Sequence, residues 1–418
     1  MRKEDRNLIV LNYQFEVPPF LIDFFKESTK HYDKIYYITP SLKRDNSNIL
    51  KKFHIEVHQI HRIFKYINLI KMILLTFLKK RYRKMIFLSI KNKDFSYEFL
   101  KTYFQQTVCG YILHDRVRKI FRRNQLLENK THVVSAWFSA EAYAASLLKV
   151  TFPHIKTVSL AHSFDANPYR NPKLLFSFPN FKHRNLNNIY FISSTIMNYY
   201  IEKVAVPLHI DTSNMRLLKL GISNDSGVTT ETSRDDILRI LSVSSVNDVK
   251  QVIEIPKSLK EINAMNIQWT HIGDGPLMQN LKDYSEQIKN SNKNLEIILL
   301  GYKTNNEVHL YYQNSQVDIF VNVSKIEGVP VSIMEAISYG IPVIATDVGG
   351  TSEIVKITFG ELINAEKVNQ ELKLSIKNFT NKSIETKEKM RKDAYDFWKE
   401  NYDSSKNYFE FFESLNKS

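Results

Sequence analysis

Cysteine, glycine and long apolar runs are scarce in this 418-residue chain. The single cysteine, Cys109, excludes an internal disulfide framework and a multi-cysteine zinc site, and fits a reducing compartment. The longest apolar stretch, residues 67–78, is interrupted by Lys71 and falls short of the roughly 20 residues that a membrane span needs. The early apolar stretch 8–11 is too short for a signal-peptide core. There is no Asp-x-Asp pair, no Gly-x4-Gly-Lys phosphate loop and no His-Glu-x2-His zinc pair. Glycine is uneven as well: of eleven, only Gly110 precedes Gly221. Because glycine allows tight turns and close backbone approach to a ligand, the second half is where a nucleotide or phosphate site is expected.

What is present is a soluble-type composition, 43% hydrophobic and 24% charged, with enough apolar material for two cores. Lys and Arg number 58 against 44 Asp and Glu, giving a formal charge of +14. Such a balance points to a polyanionic or membrane-surface partner. Basic residues concentrate in two places in the first half. One is the apolar-basic stretch 63–90; the other groups Arg116, Arg118, Lys119, Arg122 and Arg123 around Val117, Ile120 and Phe121. Core helices with solvated basic faces and a surface meeting anionic lipid both account for them.

Strand and helix alternate from the start. Strands are expected at 7–13, 34–39, 132–137, 155–160, 188–193 and 217–221, and a polar, turn-rich linker at 223–235. Five further β–α units follow, with strands at 237–243, 267–272, 295–300, 317–323 and 342–346 and a helix at 249–262. This rhythm predicts an α/β chain of two Rossmann-like domains, 1–222 and 235–386. An aromatic helical segment, 387–418, is expected to return to the first domain.

The most informative stretch runs from Asn322 to Gly340. A buried strand delivers the chain to Glu327 and Gly328; Pro330 sits where a helix should begin and Gly340 where it should end. The first helical turn offers the amides of Val331, Ser332 and Ile333 to an anion. Glu327 and Glu335 flank that turn, and a carboxylate suits vicinal hydroxyls because it accepts two hydrogen bonds side by side.

The stretch EGVPVSIMEAISYGIPVIATDVGGTSEIV, with Glu327 and Glu335 separated by seven residues, resembles the group 1 retaining glycosyltransferases of GT-B architecture. RILSVSSVNDVKQV, THIGDGPL, LLGY and VDIFVNVS are similar to family segments in the same order, and KTVSLAHSFDANPYRN is similar to one in the first domain. The resemblance implies two Rossmann-like domains facing a cleft, with the donor on the second and the acceptor on the first. It implies that Glu327 holds the donor sugar, Glu335 the ribose, and Gly328, Val329, Pro330, Val331 and Ser332 the sugar and phosphate. Lys250 would pair with the diphosphate, Tyr302 would lie near the base, and His162 and Asp165 would stand near the donor sugar. Ser245 departs from the pattern, occupying the place of a frequent arginine, and Arg170 is a candidate replacement. The loop Gln14 to Pro19 also departs, lacking the usual glycines.

The function implied is transfer of a sugar from a nucleotide sugar, UDP favoured over GDP, to a lipid-linked or glycan acceptor in capsule, exopolysaccharide or lipopolysaccharide assembly. No metal or other cofactor is expected, since a helix start and a lysine can neutralise the diphosphate. No nucleic-acid partner is expected, and the oligomeric state stays open. The cytoplasm, with peripheral contact at the inner face of the plasma membrane, is the expected location. A nucleotide-sugar epimerase of similar two-domain fold and a basic nucleic-acid-binding protein are the alternatives; neither accounts for the paired glutamates.

Overall fold

The computed structural model describes residues 6–14, 17–40, 48, 50–60, 97–123, 130–167, 178–227, 229–289 and 291–417. The chain divides into two compact units, Met1–Leu220 with Asn407–Ser418, and Gly221–Lys406.

The first unit is built on seven strands: β1 (Arg6–Leu11), β2 (Lys34–Thr39), β3 (Glu56–Gln59), β4 (Lys130–Ser135), β5 (Lys156–Ala161), β6 (Asn188–Phe191) and β7 (Met215–Leu217). They pair in the order β3-β2-β1-β4-β5-β6-β7, all parallel. Runs such as Leu8-Ile9-Val10-Leu11 are buried throughout, as parallel strands covered on both faces require. The sheet changes winding direction between β1 and β4, which lie side by side with Leu11 opposite Ser135.

The second unit repeats the plan with β8 (Ile237–Val243), β9 (Asn266–Ile272), β10 (Leu295–Leu299), β11 (Ile319–Asn322), β12 (Val343–Thr346) and β13 (Gly360–Ile363). Their order is β10-β9-β8-β11-β12-β13, again all parallel. In each unit this is the doubly wound Rossmann arrangement, in which ligands bind outside the carboxyl ends of the strands where the order reverses. In the second unit that point lies between β8 and β11. Trp269, fully buried among Ile240, Ile267, Ile319 and Val321, anchors the core beneath it.

Several elements depart from the sequence expectation for local reasons. The helix expected at 249–262 is confined to Glu254–Leu259. Asn247 Oδ1 accepts the amides of Val249 and Lys250, each at 3.0 Å, and Gln251 takes φ +46°, so the chain turns before it coils. Strands β3 and β13 were not anticipated: each has four residues, and the sequence of β3, Glu-Val-His-Gln, is polar. The first-unit strand expected at 217–221 is Met215–Leu217. The basic residues Arg116 to Arg123 close the helix Tyr97–Arg123, in which Val117, Ile120 and Phe121 are buried. The apolar-basic stretch 63–90 lies outside the described residues.

The segment 387–418 is shared between the units, and it joins the first only from Asn407. Arg391, on the helix Ile384–Asn401, holds the earlier part to the second unit. Its buried guanidinium donates to Val317 O at 2.6 Å, Thr230 Oγ1 at 2.6 Å and Thr232 Oγ1 at 3.1 Å, and lies 3.7 Å from Asp318. The same contacts fix part of the polar stretch expected to be a linker. From Asn407 onward the chain packs in the first unit, where Phe412 and Tyr408 meet Phe24 and Tyr408 Oη donates to Phe20 O. Arg391→Met leaves those acceptors and Asp318 without their buried cation. It should lower the stability of the second unit by about 3 kcal/mol in urea unfolding; an unchanged midpoint would show that the staple contributes nothing.

Candidate functional site

The site of the second unit starts from a carboxylate that the fold takes out of water. Glu327 follows β11 and is 8% exposed. Its Oε1 accepts from Lys250 Nζ at 2.5 Å, Ser324 Oγ at 2.6 Å and Asn322 Nδ2 at 3.3 Å. All three bonds converge on one oxygen; Oε2 has no partner among the described residues. Lys250 comes from the loop after β8, so the ion pair bridges the two strands at the switch point. Ser324 is itself fixed, its carbonyl accepting Thr346 Oγ1 at 2.6 Å.

A second loop backs this one. Gly349 has φ +58°, and a β-carbon there would stand 2.0 Å from Glu327 O. Only glycine permits both the backbone angle and the approach. Gly350 N then donates to Gly328 O at 2.8 Å. Similarly, Gly273 lets the loop after β9 press on the Ser244 carbonyl, which a β-carbon would meet at 1.8 Å. The loops after β8, β9, β11 and β12 thus brace one another.

Beyond Gly328 and the buried Val329, the helix Val331–Ser338 begins, with Pro330 immediately before its first residue. The Ile333 amide, expected to be open, is bonded to Pro330 O at 3.1 Å because the first turn tightens. No bond among the described residues engages the amides of Val331 and Ser332. Glu335 is buried one turn on; Oε1 accepts Asn305 Nδ2 at 2.9 Å, and the stacked Tyr312 and Tyr339 lie nearby. Gly340, at φ +70°, ends the helix as expected. Ser245 is exposed and accepts Asn247 Nδ2 at 2.9 Å. Tyr302 follows β10 with its side chain 74% exposed. Chemically, this arrangement offers a cation, two helix-start amides and two buried carboxylates within one set of loops, a combination suited to a charged, polyhydroxylated ligand.

The first unit concentrates its buried polar groups at its own switch point. His162 follows β5 with its ring 4.3 Å from that of Trp137 and 4.9 Å from that of Phe20. Its Nε2–H donates to Ala136 O at 3.0 Å. Burial disfavours the imidazolium and brings the His162 pKa down to about 4. Asp165 accepts the His162 amide at 2.6 Å and the Phe138 amide, and burial raises it to about 7. Arg170 lies outside the described residues, as do Phe15 and Glu16 of the loop after β1.

The sequence reading did not assign Asn322, Ser324 and Asn305, which orient the two glutamates, nor Asn12, Trp137, Glu141 and Lys182 in the first unit. Asn322 and Ser324 stood within the informative stretch; their signal was position next to Glu327 at a strand end. Lys182, in Phe-Lys-His-Arg, reads as one more surface cation. Among the described residues no three His, Cys, Asp or Glu side chains converge as metal ligands.

Two parallel Rossmann units with these loops define the GT-B glycosyltransferase fold. The structure of Anabaena HepE, solved with UDP and glucose, aligns over 99% of this chain and 100% of its own, with a TM-score of 0.70 and 12% identity. Residues 228–397, which fall within the second unit, match the family described as glycosyl transferases group 1. Curated relatives include the amylovoran biosynthesis glycosyltransferase AmsK of Erwinia amylovora, 29% identical over 126 residues, 28% of this chain and 30% of the relative. Another is the Escherichia coli UDP-Gal:alpha-D-GlcNAc-diphosphoundecaprenol alpha-1,3-galactosyltransferase, 36% identical over 99 residues, 23% of this chain and 24% of the relative. These alignments therefore span less than a third of the relatives' length.

The neutral, buried His162 links the first unit's stability to pH. Its pKa lies below the ordinary 6.5, so its contribution is full above pH 6.5 and is lost as pH falls toward 4. That loss is on the order of 3 kcal/mol. His162→Asn should make the acid destabilisation of the first unit shallower across this window, measured by urea unfolding at successive pH values. Parallel pH profiles for the two proteins would contradict the assignment.

Proposed function

We propose that the chain is a metal-independent, retaining glycosyltransferase that takes its sugar from a nucleotide donor, with UDP favoured over GDP. The observation carrying this reading is the convergence of Lys250, Glu327, Glu335 and the Val331 and Ser332 amides on one switch point. In this reading the diphosphate lies on the helix start and is met by Lys250. The Glu327 oxygen left over from the three bonds accepts donor-sugar hydroxyls, and Glu335 takes the ribose. Gly328, Val329 and Pro330 bring the backbone close to the sugar and phosphate, and Tyr302 and Ser245 border the nucleotide.

The chemical demand is departure of a nucleoside diphosphate from a centre of growing positive charge. Fixed amides and a lysine stabilise the leaving anion in place of a divalent cation, and such electrostatic preorganisation is commonly the largest catalytic contribution. Lys250 then has two partners: Glu327 before the donor arrives, the diphosphate after. The first unit supplies the acceptor side; His162 and Asp165 keep their expected role toward the donor sugar, and Arg170 stays a candidate for the second diphosphate cation that Ser245 does not provide. The neutral His162 serves as a hydrogen-bonding group rather than a cation.

A lipid-linked or glycan acceptor in capsule, exopolysaccharide or lipopolysaccharide assembly fits the chain's charge of +14 and the exposed Arg122 and Arg123 at one helix end. The activity named for the Escherichia coli relative, on a diphosphoundecaprenol-linked sugar, supports the same class. None of the described helices is long and apolar enough to cross a membrane. Peripheral attachment at the inner face of the plasma membrane is the arrangement proposed, on the ground of the chain's positive charge.

Transfer from a panel of UDP- and GDP-sugars, with and without EDTA, tests this directly. A UDP-sugar should be turned over equally well in EDTA, and Glu335→Ala should weaken UDP binding in calorimetry by roughly tenfold, the loss of one charge-assisted contact. A strict metal requirement, or unchanged UDP affinity in Glu335→Ala, would refute the corresponding part of the reading.

A further inference from the structure

Resting on the glycosyltransferase reading above, we propose that Lys182 is a positioning residue. Its buried ammonium fixes the Phe138 peptide, and through it the Trp137 and His162 rings at the mouth of the first sheet. Lys182 Nζ donates to Phe138 O at 2.6 Å and lies 4.4 Å from the centroid of the Phe138 ring. The amide of the same residue donates to Asp165 Oδ2. One residue of the loop after β4 is therefore held at its carbonyl by a cation and at its amide by an anion. Asp165 Oδ1 carries the restraint onward to the His162 amide in the loop after β5.

Glu141 draws in the third loop. Its carboxylate accepts the Tyr13 amide at 2.8 Å and the Ser139 hydroxyl. Trp137, next to Phe138, donates from Nε1 to Asn12 Oδ1 at 3.1 Å and packs on His162. The loops after β1, β4 and β5 are thus joined through Lys182, Asp165 and Glu141, all buried in the first unit. Burying an ammonium is costly. Burial lowers Lys182 to about 7, opposed by the Asp165 and Glu141 carboxylates, while burial raises Glu141. A methionine would fill the volume without that cost. What it could not do is bond the Phe138 carbonyl, and that bond is what the lysine provides to the His162 and Trp137 geometry.

The test uses the paired variant Lys182→Met with Glu141→Gln in the full chain. Losing the lysine alone strands two buried carboxylates, whereas the pair keeps the cluster's net charge and removes the bond to Phe138. The folded pair should lose kcat at least about tenfold, the scale on which small misplacements act, with the KM for the nucleotide sugar within about twofold of wild type. Trp137 emission should shift, and the shift should vanish in a Trp137→Phe background. Wild-type kcat in the folded pair overturns the proposal, as does unchanged Trp137 emission. If the wild-type protein transfers no sugar, it is the glycosyltransferase reading that fails, and Trp137 emission alone then decides whether Lys182 holds the loops.

Discussion

A glutamate satisfied at one oxygen and open at the other sets the character of the second unit. Three donors from two strand-end loops converge on Glu327 Oε1. An ion pair at this depth is no free gain in stability, because desolvation offsets much of the attraction. Its value is positional. Bridging β8 and β11 at the point where the sheet reverses, it keeps a carboxylate oxygen, a lysine and a helix start in fixed relation. The glycines behind it allow the close packing of loops that this requires. The proposed chemistry draws on the same arrangement, since a diphosphate entering at the helix start competes with Glu327 for Lys250.

The first unit applies a similar logic with different residues. Its switch point lies between β1 and β4, and there too buried charges tie several loops together. No side chain described there offers a phosphate-binding cation paired to an open carboxylate. The groups presented instead are aromatic and neutral: Trp137, His162 and the exposed Phe164. The proposed division, a donor held by its charges on one unit and an acceptor held by shape and hydrogen bonds on the other, draws on that difference.

Much of this was legible in the residues. The strand–helix alternation, the helix bounded by Pro330 and Gly340, and the seven-residue spacing of the glutamates are local patterns, and local physics writes them into sequence. Strand β3 was missed because its residues, Glu-Val-His-Gln, carry no apolar run, and β13, Gly-Glu-Leu-Ile, has only two apolar residues to mark it. The helix expected from residue 249 was cut back by an Asn247 turn that periodicity cannot register. The pairing of Lys250 with Glu327 spans 77 positions, and within the Lys182 cluster the contacts span 44 for Lys182 with Phe138 and 128 for Tyr13 with Glu141. Composition gives no hint of such pairings. The placement of 387–406 with the second unit likewise rests on distant contacts, among them the buried Arg391 with Val317 O and the Phe397 ring with that of Phe359, which a merely aromatic-looking segment does not announce.

A crystal structure with UDP bound tests the account most directly, through the position of Lys250 Nζ. The account requires the diphosphate to sit on the Val331 and Ser332 amides, with Nζ drawn from Glu327 Oε1 onto a phosphate oxygen. Diphosphate bound elsewhere, or a Lys250–Glu327 pair left intact beside it, would contradict the account.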